Sequence, residues 1–122
     1  MEPPNEFGIL NLAVALERVG GDNELLEEVA QLFLDSVPEL LTEIREAVVS
    51  RNAKALERAA HTLKGSVSNF AAEAAFQAAL RLEKMGRTGE LAGVDQAFAT
   101  LEAEMERLQP AIAALAERDS KH

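Results

Sequence analysis

The chain has 122 residues and a formal net charge of −9, so it has length for one domain around one core and is a poor match for nucleic acid or anionic membrane surfaces. It has no cysteine, which excludes disulfides and thiolate metal sites and fits a reducing compartment. Abundant Ala, Leu and Glu, with no Trp and no Tyr, point to an all-α protein, and no apolar run approaches the roughly 20 residues that span a bilayer.

Residues 1–8, with Pro3 and Pro4, read as a flexible lead-in, and Phe7, Ile9 and Leu10 as the first buried contacts. No charged-then-apolar leader follows Met1, so a cytoplasmic protein is expected. Leu12 to Val19 form a short helix that Gly20-Gly21 stops. Asp22 is a good N-cap for the next helix, and Glu24, Glu27 and Glu28 suit its positive end. Leu26, Val29, Phe33, Val37, Leu40, Ile44 and Val48 then recur at spacings of three and four, and the phase runs through Pro38. This predicts one kinked helix over about 23–50; a break at Ser36-Val37, with Pro38 in a new first turn, is the alternative.

Asn52 caps a helix that should run to about Phe70. Glu73 to Met85 form the next, burying Phe76, Leu80 and some alanines, with Gly86 as its left-handed terminator. The last helix begins near Glu90 and keeps its rhythm from Val94 to Leu115, kinked but not ended by Pro110. Residues 119–122 read as a loose polar tail. Short loops imply an up-and-down four-helix bundle with a short additional N-terminal helix, spanning 9–118.

The chemistry lies in His61-Thr62-Leu63-Lys64-Gly65-Ser66. At about 100° per residue, Lys54, Glu57, Arg58, Lys64, Gly65 and Ser68 fall within about 60° of His61. Leu56, Ala59, Leu63, Val67 and Phe70 fall opposite, so His61 centres the wet face. A lone surface histidine usually does nothing, but here it has unusual neighbours. Glycine inside a helix costs about 1 kcal/mol relative to alanine, and an exposed position gains nothing from that cost unless something must come close. Gly65, one turn after His61 and flanked by the small Ser66 and Ser68, clears an approach to the ring. Lys64 brings a cation to the same point. An imidazole in water is largely neutral and nucleophilic at pH 7. A nucleophile, a mobile cation and a bare patch of backbone suit transfer of an anionic group from a large partner, a reaction that needs mainly positioning and charge neutralisation.

With Asn69-Phe70 following and Leu82-Glu83 closing the next helix, this stretch resembles the signature of histidine-containing phosphotransfer (HPt) domains of multistep bacterial phosphorelays. The resemblance extends over roughly residues 9–115. It implies that His61 accepts a phosphoryl group on its outer ring nitrogen, that Lys64 contacts the phosphoryl oxygens, and that Gly65 leaves room for the partner. It further implies that the Glu83 carboxylate accepts a hydrogen bond from the inner ring nitrogen, fixing the tautomer. Many members carry a glycine after the Asn-Phe pair; this chain has Ala71 and Ala72, so a more helical turn is expected here.

From Arg51 to Ser68 the charged residues are Arg51, Lys54, Arg58 and Lys64 against Glu57 alone. Such a basic stripe would suit a partner whose active site is a carboxylate cluster, as in receiver domains of response regulators. Lys54, Arg58, Gly65 and Ser68 are therefore the expected docking residues. The expected function is a phosphocarrier moving a phosphoryl group between receiver aspartates, free-standing or as part of a hybrid histidine kinase. The receiver would supply Mg²⁺, and the chain, a monomer, would bind no cofactor itself. The rival is a helical adaptor that binds a receiver or other signalling partner and is never phosphorylated. No Gly-rich phosphate loop, no ATP-binding kinase unit and no carboxylate–histidine set with metal spacing is present in the sequence, and Ser66 or Ser68 beside His61 is a weak match to a hydrolytic triad. The chain is accordingly expected not to be an autonomous enzyme.

Overall fold

The computed structural model describes residues 10–117. The expectations for the lead-in, for Phe7 and Ile9, and for the tail beyond Glu117 lie outside the described residues. Among the described residues the structure is helical, without strands: α1 (Leu12–Arg18), α2 (Asn23–Ser50), α3 (Ala53–Ser68), α4 (Glu73–Thr88) and α5 (Val94–Ala116).

Each boundary has a local cause. The Asn11, Asp22 and Asn52 side chains accept hydrogen bonds from the backbone N–H of Val14, Leu25 and Ala55, capping α1, α2 and α3. α2 continues through Pro38 and α5 through Pro110, so the unbroken phase of the apolar stripe, not the proline, decides both. α2 and α3 pack together, and so do α3 and α4, α4 and α5, and α5 and α2, closing a ring of four helices around one core. Contacts along α3 and α4 run in opposite senses, from Ala53 and Glu57 against Gly86 to Lys64 against Phe76. Those along α2 and α5 do the same, with Arg45 on Glu102 and Arg51 on Asp95. Phe70 closes the core beyond α3 and meets Phe33 edge-on at 5.3 Å.

Four expectations need correction. Gly86 does not end α4; the helix runs to Thr88, and Gly89, at φ 77°, is the left-handed cap. A Cβ on Gly86 would stand 2.5 Å from the Glu57 nitrogen and 2.7 Å from the Ala53 carbonyl oxygen, so this glycine lets two helix backbones approach. The buried side of α4 is likewise small: Ala75, Ala78, Ala79 and Gly86 go inside with Leu82, while Phe76 and Leu80 are half-buried. α5 begins at Val94 and not near Glu90, because Gly93 takes φ 80° immediately before it. Finally, the turn after α3 is not more helical. Ala71 adopts φ 51°, the left-handed conformation that favours glycine, so the geometry is kept despite the alanine.

Candidate functional site

The site lies where α3 and α4 pack through these small residues. On α3, Leu56, Leu63 and Val67 are fully buried, which turns His61 outward; its side chain is 67% exposed. Facing it from α4 is Glu83, the charged side chain that lies buried among the described residues, at 4% exposure between Leu82 and the tight contact at Gly86. A buried carboxylate is costly unless it is paired and hydrogen-bonded. Here three groups converge on it. His61 Nδ1 is 2.9 Å from Oε2, and Arg87 Nη2 is 3.1 Å from the same oxygen. Lys64 Nζ is 2.8 Å from Oε1, an ionic contact out of line for a hydrogen bond, and Oε1 has no other partner.

Burial alone pushes a carboxylate up, but the contacts with Lys64 and His61 outweigh it and hold Glu83 below the ordinary carboxylate range. An ionised carboxylate only accepts hydrogen bonds. Nδ1–H therefore donates to Glu83, and in the neutral ring Nε2 keeps its lone pair on the opposite, open side.

Gly65 is exposed, and a Cβ built on it would meet nothing within 4 Å. No internal contact requires this glycine, in contrast to Gly86. Lys54 and Arg58 are exposed, make no ion pair among the described residues, and line an open groove with Glu57, His61, Thr62 and Glu83. Ser68 is more enclosed: its hydroxyl donates to the Gly65 carbonyl at 2.7 Å, and its own carbonyl accepts from Arg18 of α1.

The basic stripe shortens. Arg51 sits at the left-handed end of α2, bonded to Asp95, and leaves the His61 face. Lys64, one-fifth exposed, rests on Glu83 with its ammonium 6.0 Å from the centre of the Phe76 ring. The roles of two residues were missed by sequence reasoning. Arg87 contacts both Glu83 and, at 3.5 Å, Glu57 of α3. Its signal was legible, since an arginine four residues after a glutamate on a helix reaches it. Glu57 was placed on the His61 face and as the odd charge in a basic run, without its link to Arg87.

No curated protein and no solved structure matches the chain. A family model, Hpt domain, matches residues 28–111, from within α2 to within α5, and so takes in both helices of the site. That span is more than half of the 122 residues, and the chain belongs to the Hpt domain family.

Proposed function

We propose that the chain is a phosphocarrier, an up-and-down four-helix bundle with a short N-terminal helix, that relays a phosphoryl group between receiver-domain aspartates through His61. The observation that supports this most is the exposed imidazole anchored at Nδ1 by buried Glu83. In the forward step the Nε2 lone pair attacks phosphorus of a receiver's aspartyl phosphate. The N–P bond forms, the P–O bond to the aspartate breaks, and the carboxylate leaves with the electron pair. The ring gains positive charge as this happens, and Glu83 stabilises it through the Nδ1–H bond. Lys64, on the same helix face, shifts from Glu83 toward the arriving phosphoryl oxygens. Gly65 lets the receiver's surface approach the helix, and Lys54 and Arg58 meet its acidic site. The receiver brings Mg²⁺ and most of the transition-state stabilisation. The chain contributes a positioned nucleophile and has no ATP-dependent activity of its own.

The test is incubation of the purified chain with a panel of phosphorylated receiver domains. The wild type should acquire base-stable, acid-labile label, and His61→Gln should acquire none while its helical circular dichroism is unchanged. Label persisting on His61→Gln refutes the assignment, and binding of receivers without any label on the wild type supports the adaptor instead.

A further inference from the structure

Arg87 contacts Glu83 through the oxygen that faces His61 Nδ1, while Lys64 contacts the other oxygen. Arg87 shares Oε2 with His61 Nδ1, at 3.1 and 2.9 Å, so guanidinium and ring nitrogen can be no farther apart than those two lengths end to end. Its Nε is 3.5 Å from Glu57, one turn before His61 on α3. The guanidinium thus bridges α4 to the helix that carries the nucleophile.

Stability alone does not single out this residue. Its contact with Glu57 is an exposed pair of the kind that contributes little, and buried Glu83 already has Lys64 on its other oxygen. Contact with the phosphoryl group is a poor explanation, because Arg87 sits on the Nδ1 side and the open nitrogen is Nε2. What the position does control is the charge that the imidazole sees. A carboxylate left bare against Nδ1 favours the protonated ring, which has no lone pair to attack with.

We propose that Arg87 is a positioning residue for His61: it holds Glu83 by the oxygen that takes the Nδ1 proton and offsets the carboxylate's charge, so that the ring stays neutral with Nε2 free. This rests on His61 being the phosphoacceptor. The charged groups around the ring are consistent with it. Glu83 and Glu57 are matched by Lys64 and Arg87, while Lys54 and Arg58 stand beside the ring on α3. From α2, Glu43 and Glu46 line the neighbouring groove with Arg58 and Thr62, and from α1 Arg18 reaches only the Ser68 carbonyl.

The experiment is an NMR titration of the His61 imidazole in the full chain, its signals distinguished from those of His122 by their loss in His61→Gln. In Arg87→Gln the titration midpoint should move to higher pH by about 0.5 to 1 unit, as expected for losing a positive charge at this range in a largely hydrated site. Arg87→Lys should stay near the wild type. An unmoved midpoint in Arg87→Gln overturns the proposal, and so does an equal shift in Arg87→Lys, which would mean perturbed packing and not lost charge. Phosphoryl acceptance by Arg87→Gln should fall most at the acid end of the pH range and recover toward the alkaline end; a uniform loss at all pH also counts against it. The titration needs no receiver, so a chain that never takes label but shows the shift would refute the phosphoacceptor reading and leave the effect of Arg87 on the ring standing.

Discussion

Gly65 and Gly86 both lie inside helices, one on each side of the site, and alanine at each should give opposite results. At Gly86 the new methyl carbon would meet the Glu57 nitrogen at 2.5 Å, the Ala53 oxygen at 2.7 Å and the Glu57 Cα at 2.9 Å. All three are backbone atoms, so no side chain can swing aside and α3 and α4 must separate. Overpacking of this kind costs about 3 kcal/mol at the upper end of its usual range. Alanine's better helix propensity returns about 1 kcal/mol, leaving a net loss of about 2 kcal/mol. At Gly65 the methyl meets nothing within 4 Å, so only the propensity gain of about 1 kcal/mol remains. Urea denaturation followed by circular dichroism measures both. In thermal melts the shifts should be about −8 °C and +4 °C. Phosphoryl transfer should separate the pair in the other sense. Gly65→Ala, though more stable, should lose about tenfold in transfer rate, the equivalent of about 1.4 kcal/mol of docking energy. A Gly86→Ala protein as stable as the wild type would refute the close-approach reading. A Gly65→Ala protein that gains stability and transfers at the wild-type rate would remove the reason given for a bare helix face.

Ala71→Gly should stabilise the fold by about 0.5 to 1 kcal/mol, because it relieves a left-handed alanine at φ 51° and gives back part of that gain as chain entropy; a lower urea midpoint would contradict this. Glu83→Gln should cost about 2 kcal/mol at pH 7, where the ionised carboxylate is held by Lys64, Arg87 and His61. Glu83 sits below the ordinary carboxylate range in the folded chain, so its contribution is complete above that range and is lost as pH falls through the depressed folded value. The stability gap between wild type and Glu83→Gln should therefore narrow on acidification from pH 5 to pH 3, and a widening gap would contradict the sign.

Most of the frame could be read locally. The caps at Asp22 and Asn52, the wet and dry faces of α3, and the passage of α2 and α5 through their prolines depend on residues within a turn or two of each other. The errors came where the deciding atom is remote. Gly86 can either terminate a helix or admit a neighbour, and the Glu57 nitrogen that settles it lies 29 positions away in the chain. Some alanines of α4 were expected to share the buried side with Phe76 and Leu80. Ala75, Ala78 and Ala79 take it with Leu82, and Phe76 and Leu80 are only half-buried beside helices drawn together at Gly86. Ala71 was misread as part of a more helical turn for a different reason: the φ of a turn residue is imposed by the two helices it joins, and alanine tolerates it at a modest cost.

That close packing links the architecture to the chemistry. A glutamate side chain is short, and Glu83 reaches both His61 and Lys64 because the backbones of α3 and α4 approach closely one turn away, at Gly86. The same packing dries the carboxylate, which makes its contacts stronger and its lone charge costlier. Lys64 and Arg87 then hold different parts of it: Lys64 takes Oε1, and Arg87 takes Oε2 together with His61 while also reaching Glu57 on α3. On the proposed phosphocarrier reading, Lys64 is the cation that can move to the phosphoryl group, while Arg87 stays on the oxygen that takes the Nδ1 proton. On that reading, the asymmetry of the two cations about one buried carboxylate follows from a single nucleophile whose two nitrogens do different jobs.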